Sequence, residues 1–135
     1  MKWRQEMKIY CDGGAIVEKR VGACAFVAKR RGKTVAKSAR FLTDATNNIA
    51  EYMGLLDAIE FALHFFPDEN ISFLLDSELV VQQVKGKYKV KSAHLGPLHD
   101  RVIASLKKKW KISHIPRSLN CEADAMVKSI LKEYH

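Results

Sequence analysis

Ile71-Ser-Phe-Leu-Leu75, followed at once by Asp76-Ser77, decides the fold. Five residues of near-continuous apolarity, entered through Pro67-Asp-Glu-Asn70, read as a short buried strand in a central parallel position. Asp76 then falls at the strand's carboxyl end, where open α/β sheets build their sites. Working outward, Ser77 reads as a cap and Glu78 to Val84 as a short helix. On the other side, Ile49, Tyr52, Leu56, Ile59 and Leu63 recur at spacings of three and four, which predicts a helix from Thr46 to about Phe65. Gly54, Ala58 and Ala62 lie beside that stripe and allow close packing on a sheet.

Three strand-like segments precede that helix: about Met7 to Asp12, Val21 to Arg30 and Lys33 to Leu42, the last two joined at Arg31-Gly32 as a hairpin. After Gly96-Pro97 a helix is marked by Leu98, Val102 and Leu106. Trp110 to Ile115 reads as a final strand with Trp110 and Ile112 inward. A last helix, from about Asn120, carries Ala123, Val127, Ile130 and Tyr134. The order βββαβα, helix, βα predicts an antiparallel meander extended by parallel strands through helical crossovers, with helices on both faces. The first strand is then expected to end at Asp12, beside Asp76.

At 135 residues the chain is long enough for one domain with a proper core, so a single domain over 1–135 is expected. Lys and Arg number 23 against 15 Asp and Glu, a formal net charge of +8, and the pI is about 9.5. That balance favours polyanionic partners. The cations cluster at Lys29, Arg30, Arg31 and Lys33, at Lys85, Lys87, Lys89 and Lys91, and at Lys107 to Lys109 with Lys111. Lys85 to Lys91 alternates with Tyr88 and Val90, so an extended segment would turn its charges to one side. Cys11, Cys24 and Cys121 have no paired spacing and suit a reduced intracellular protein. Met1 to Lys8 contains no apolar stretch resembling a signal peptide, and no span of membrane length occurs. A soluble, cytoplasmic protein is expected.

Four acids stand at element ends: Asp12, Glu51, Asp76 and Asp124. Singly, each has a structural explanation, as a turn residue, a cap or a carboxylate complementing a helix dipole. Together, four like charges in a basic chain point to a divalent cation, because hard ions such as Mg²⁺ select carboxylate oxygens and often share them with substrate phosphates. The expected chemistry is metal-assisted attack on a phosphodiester.

Tyr10-Cys-Asp-Gly-Gly-Ala15, Thr46-Asn-Asn-Ile-Ala-Glu-Tyr-Met53, Leu75-Asp-Ser-Glu-Leu-Val-Val81 and Asn120-Cys-Glu-Ala-Asp-Ala125 resemble, in order and on their elements, the four motifs of type 1 ribonuclease H and the reverse-transcriptase-like ribonuclease H domains. The resemblance covers nearly the whole chain. It implies a ribonuclease H-like α/β fold with a five-stranded mixed sheet, and hydrolysis of the RNA strand of RNA/DNA hybrids to 5′-phosphate and 3′-hydroxyl ends. It further implies two Mg²⁺ or Mn²⁺ ions held by Asp12, Glu51, Asp76 and Asp124, with Asp12 bridging them and Glu51 near the RNA 2′-hydroxyl. Gly13, Thr46, Asn47 and Asn48 match the segments that meet the hybrid, and Lys85, Lys87 and Lys89 stand where some relatives carry a basic protrusion.

Four departures qualify the match. The aromatic, lysine-rich protrusion of some relatives is absent, and Val84 to Lys91 occupies its place. The segment Gly14 to Arg20 is short and lacks a Gly-Asn-Pro-Gly loop. Glu78 stands where the bacterial pattern favours Gln. Before the last acid, His114-Ile-Pro-Arg-Ser-Leu-Asn120 replaces a longer loop with a mobile histidine. His114 reads as a strand residue, so Arg117 is the expected phosphate-facing catalytic group, stabilising charge without acting as a base. The other histidines, His135 included, read as structural. The expectation is a monomeric hybrid-specific endoribonuclease without an obligate protein partner. The alternatives are duplex-RNA cleavage and a nucleic-acid-binding module of the same fold with vestigial activity.

Overall fold

The computed structural model describes residues 6–135. The reading of the amino terminus over Met1 to Lys8 therefore lies mostly outside the described residues. Five strands, β1 (Met7–Ile16), β2 (Val21–Arg30), β3 (Lys33–Thr43), β4 (Ile71–Leu75) and β5 (Lys111–His114), form one sheet in the order β3-β2-β1-β4-β5. β1, β2 and β3 are antiparallel, and β4 and β5 run parallel to β1. The mixed sheet expected from the element order is present. Four α-helices accompany it: α1 (Asn47–Phe65), α2 (Glu78–Val84), α3 (Gly96–Ser105) and α4 (Cys121–Leu131). Among the described residues, no helix is long and apolar enough to cross a membrane.

The two faces of the sheet are covered differently. Met7, Ile9 and Cys11 of β1 with Ile71, Phe73 and Leu75 of β4 pack against α1, α2 and α3 in the main core. Val127 and Leu131 of α4 close a smaller core on Ile16, Val21, Ala23 and Ala25. The ridge of α1 against the sheet is made of small residues. A Cβ at Gly54 would come within 2.5 Å of the Asp12 carbonyl oxygen, and Ala50, Ala58 and Ala62 are fully buried. Tyr52, Leu56 and Ile59 of the predicted stripe are buried, whereas Ile49 and Leu63 pack only at its edge.

Several boundaries differ from expectation. β1 does not end at Asp12: it runs four residues further, pairing Gly13 to Ile16 with β2. What stops near Asp12 is the parallel pairing with β4, whose register ends at Cys11 with Leu75. Gly13-Gly14, which read as a turn signal, is strand. The reversal is made instead by a 3₁₀ turn, Val17–Lys19, closed by Arg20 at φ 58°. The β2–β3 hairpin turns on Arg31 and Gly32, both at positive φ, the geometry of a two-residue primed turn. Lys85 to Lys91 is not an extended strand. Lys85 caps α2, Gly86 takes φ 80°, and the N–H groups of Lys87 and Tyr88 both donate to the Gln82 carbonyl. The charges of Lys85 and Lys87 therefore sit on a turn and do not alternate along one side. α4 buries Ala123, Val127 and Leu131, while Ile130 and Tyr134 are only partly covered because the chain tightens to a 3₁₀ turn at Lys132–Tyr134.

Candidate metal centre and nucleic-acid cleft

Parallel register brings the first two acids together. Cys11 pairs with Leu75, so Asp12 and Asp76 emerge side by side where β1 and β4 part. Ser77, not Asp76, caps α2, accepting from the Val80 N–H at 3.4 Å. Asn120 pins the pair: its Nδ2 donates to the Cys11 carbonyl at 2.9 Å and to Asp76 Oδ2 at 3.1 Å. Asn120 is only 1% exposed. It precedes α4, yet its side chain makes no cap hydrogen bond. Sequence reasoning missed this orienting role because an asparagine before a helix carries no signal for it.

Glu51 arrives from α1. Thr46 Oγ1 accepts from the Ile49 N–H at 3.2 Å and caps α1, and Asn47 Oδ1 accepts from the Ala15 N–H at 2.9 Å, tying the helix start to β1. Gly13 donates its N–H to Glu51 Oε1 at 2.9 Å. A Cβ at Gly13 would lie 2.1 Å from the Ala50 backbone. Only glycine lets the strand and helix approach closely enough for that bond.

Asp12, Glu51 and Asp76 each present an oxygen within 4.8 Å of the others. Asp12 and Glu51 are 5% and 7% exposed. Burial, and then the neighbouring Asp12 charge, raises the Glu51 carboxyl from 4.5 to about 9. Burial likewise raises Asp12 from 3.8 to about 6; the neighbouring Glu51 carboxyl opposes that rise and the Asp76 charge adds to it. Glu51 Oε2 is buried without a hydrogen-bond partner. Three crowded carboxylates and an orphaned acceptor are costly without a counter-charge. An all-oxygen donor set of this kind fits a hard divalent cation.

Asp124 stands apart. It lies in the first turn of α4, outside the group of three, and its Oδ2 is paired with Lys128 Nζ at 3.0 Å. It shares with Asp12, Glu51, Asn47, Arg117, Lys128 and His135 a cleft of about 190 Å³. Arg117, on the 3₁₀ turn Arg117–Leu119, lines the same cleft, while His114 is an exposed residue closing β5. His135 had read as structural and instead lines this cleft. Lys128 was legible as the i+4 partner of Asp124 but had not been singled out. Asn48 and Glu78 are exposed, at the starts of α1 and α2, and Lys85, Lys87 and Lys89 are exposed on the turn after α2.

The structure defines a layered α/β fold with buried carboxyl groups gathered where its parallel strands end, and comparison with known proteins gives its family. The family described as "Reverse transcriptase-like" matches residues 11–130. The bifunctional protein Rv2228c of Mycobacterium tuberculosis is 35% identical over 94 residues, 68% of this chain and 26% of that protein. Ribonuclease HI of Halobacterium salinarum is 35% identical over 104 residues, 76% of this chain and 52% of that protein. This chain thus spans about a quarter and about half of these relatives. The crystal structure of RNase H1 from Halobacterium salinarum superposes with a TM-score of 0.84 at 30% identity, covering 95% of this chain and 98% of that one. LC11-RNase H1, a protein isolated from compost by a metagenomic approach, in complex with RNA/DNA hybrid gives a TM-score of 0.77 at 28% identity, covering 91% and 94%. The chain belongs to the type 1 ribonuclease H family.

Proposed function

We propose that this protein is a divalent-metal-dependent endoribonuclease that hydrolyses the RNA strand of RNA/DNA hybrids, leaving 5′-phosphate and 3′-hydroxyl ends. The convergence of Asp12, Glu51 and Asp76 on one point, with Glu51 Oε2 left unpartnered, carries the reading. Asp12, Glu51, Asp76 and Asp124 would hold two ions, Mg²⁺ or Mn²⁺. Bound there, such ions supply Lewis acidity for the attacking water and the leaving oxygen.

The remaining work belongs to the chain's own groups. Gly13 and Asn120 hold Glu51 and Asp76 in place by hydrogen bonds, so the acids need no reorganisation. Arg117, which lines the cleft, would meet the scissile phosphate with fixed positive charge. Asn48 and Asn47 present amides to a shallow minor groove, where the RNA 2′-hydroxyl distinguishes a hybrid from duplex DNA. Thr46 and the Gly13 segment would flank them, and Lys85, Lys87 and Lys89 would meet the hybrid's phosphates from the turn after α2. The protein would act as a monomer in the cytoplasm, a reducing setting that three free cysteines suit.

The test is cleavage of a labelled RNA strand in a hybrid with Mg²⁺ or Mn²⁺, beside duplex RNA, duplex DNA, single strands and the variant Asp76→Asn. Metal-dependent cleavage of the hybrid, lost in the variant, is the expected result. Binding of hybrid without cleavage under any metal would replace this reading with that of a binding module.

A further inference from the structure

The sheet's carboxyl end gathers acids, and the same register lines up cations at the opposite end. Lys29 of β2 faces Lys8 of β1, Lys8 lies beside Ser72 of β4, and Ser72 lies beside Lys111 of β5. Residues in one such row project to one face, with strands about 5 Å apart. The next row on that face is Val27, Tyr10, Leu74 and Ser113. Lys29 is ion-paired with Glu122 of α4, so both rows lie on the face that α4 occupies. α4 covers only the other end of that face, over Ile16, Val21, Ala23 and Ala25. Val27 and Ser72 are buried, Tyr10, Leu74 and Ser113 remain half-buried, and Lys8 and Lys111 are exposed.

Two concavities, of about 220 Å³ and about 310 Å³, meet here and share Tyr10 and Lys29; the second also reaches Lys8, Arg31 and Gly32. Like charges directly opposite on antiparallel strands oppose folding, and Lys8 with Lys29 is such a pair. The local acids relieve the row only at Lys29. Glu122 takes Lys29, and Glu6 Oε2 accepts from the Ser72 hydroxyl at 2.6 Å. Lys8, Arg31, Lys33 and Lys111 join none of the ion pairs among the described residues.

We propose that this open sheet face is a second nucleic-acid site that binds a single strand, with phosphates along Lys8, Lys111 and Arg31 and a base against the Tyr10 ring. An aromatic on an uncovered sheet flanked by cations suits unpaired bases, whose faces are free to stack; a duplex hides those faces. Neither concavity is lined by Asp12, Glu51, Asp76 or Asp124. The site thus goes beyond the cleavage reading and does not depend on it.

The experiment is fluorescence anisotropy of a labelled RNA single strand of about 12 nucleotides, without divalent metal and at low salt. Lys8→Gln with Lys111→Gln is expected to weaken binding about tenfold through the lost phosphate contacts. Tyr10→Leu, which keeps an apolar side chain, is expected to weaken it at least about fivefold by removing the stacking surface. Thermal melts confirm that the variants remain folded, and cleavage of a short blunt hybrid by Lys8→Gln/Lys111→Gln stays at the wild-type rate. Any of three results overturns the proposal: no binding by the wild type, unchanged binding by all these variants, or a loss that follows Lys85→Gln/Lys87→Gln instead. Binding to anionic phosphatidylglycerol vesicles that depends on Lys8 and Lys111, with no binding of the oligonucleotide, would overturn it in favour of a membrane surface.

Discussion

The two halves of the acidic site are built on different terms. Asp12, Glu51 and Asp76 are fixed by strand register, by the Gly13 N–H and by Asn120, and two of them are buried. Asp124 rides on the first turn of a surface helix, with its side chain 23% exposed and paired to a lysine that is 72% exposed. The first half is organised at a cost in stability, since like charges crowd in a desolvated place. The second half has a resident cation that solvent screens and an incoming ion can displace. A rigid, strained half and a compliant, neutralised half respond differently to mutation, and that difference can be measured.

The largest effect is expected from the rigid half. Asp76→Asn should lower single-turnover cleavage of a hybrid by about 10²- to 10³-fold or more, by analogy with removing one preorganised charge-stabilising group. A residual rate near wild type would remove Asp76 from the chemistry. Gly13→Ala comes next. Its Cβ would collide with the Ala50 backbone, and a forced shift of a packed helix costs about 1–3 kcal/mol. A lowered melting temperature together with lost activity would follow, and a neutral substitution would mean that α1 and β1 are less tightly coupled than described.

Glu51→Gln sharpens the contrast through its sign. In the metal-free fold the Glu51 carboxyl is raised from 4.5 to about 9, so the folded state holds a proton that the unfolded state releases. Stability must then fall as pH rises across that window. The glutamine variant, which has no such proton, should be more stable than wild type by about 1–3 kcal/mol near pH 8 and no different below the ordinary carboxyl range. Urea denaturation with a chelator at both pH values checks this. The smallest effect is expected from the compliant half. Lys128→Met should change stability by less than about 0.5 kcal/mol, because its ion pair is exposed, and should raise affinity for Mn²⁺ a few-fold by removing a competing charge.

Much of this was legible in the sequence. The element order, the strand ending at Asp76 and the spacing of the acids each follow from apolar runs and helix stripes, which packing then honours. The length of β1 was not legible, because Gly13-Gly14 is locally a turn signal and only α1, pressing on Gly13, explains why glycine lies inside a strand. Lys85 to Lys91 misled for the converse reason: alternation in the sequence imitates a strand, while Gly86 at positive φ makes a turn. The separation of Asp124 from its fellows required coordinates, although its lysine partner four residues on was in plain view. The row of Lys8, Lys29 and Lys111 is invisible in one dimension, since strand register alone unites residues a hundred positions apart.

The most direct test of the account is calorimetric titration of the wild-type protein with Mn²⁺ near pH 7.5, without nucleic acid, in buffers of differing ionisation enthalpy. The account predicts binding that expels about one proton per site, drawn chiefly from Glu51, and that disappears in Asp76→Asn. Absence of binding, or binding without proton release and indifferent to Asp76, would contradict the claim that these buried acids are arranged around a cation.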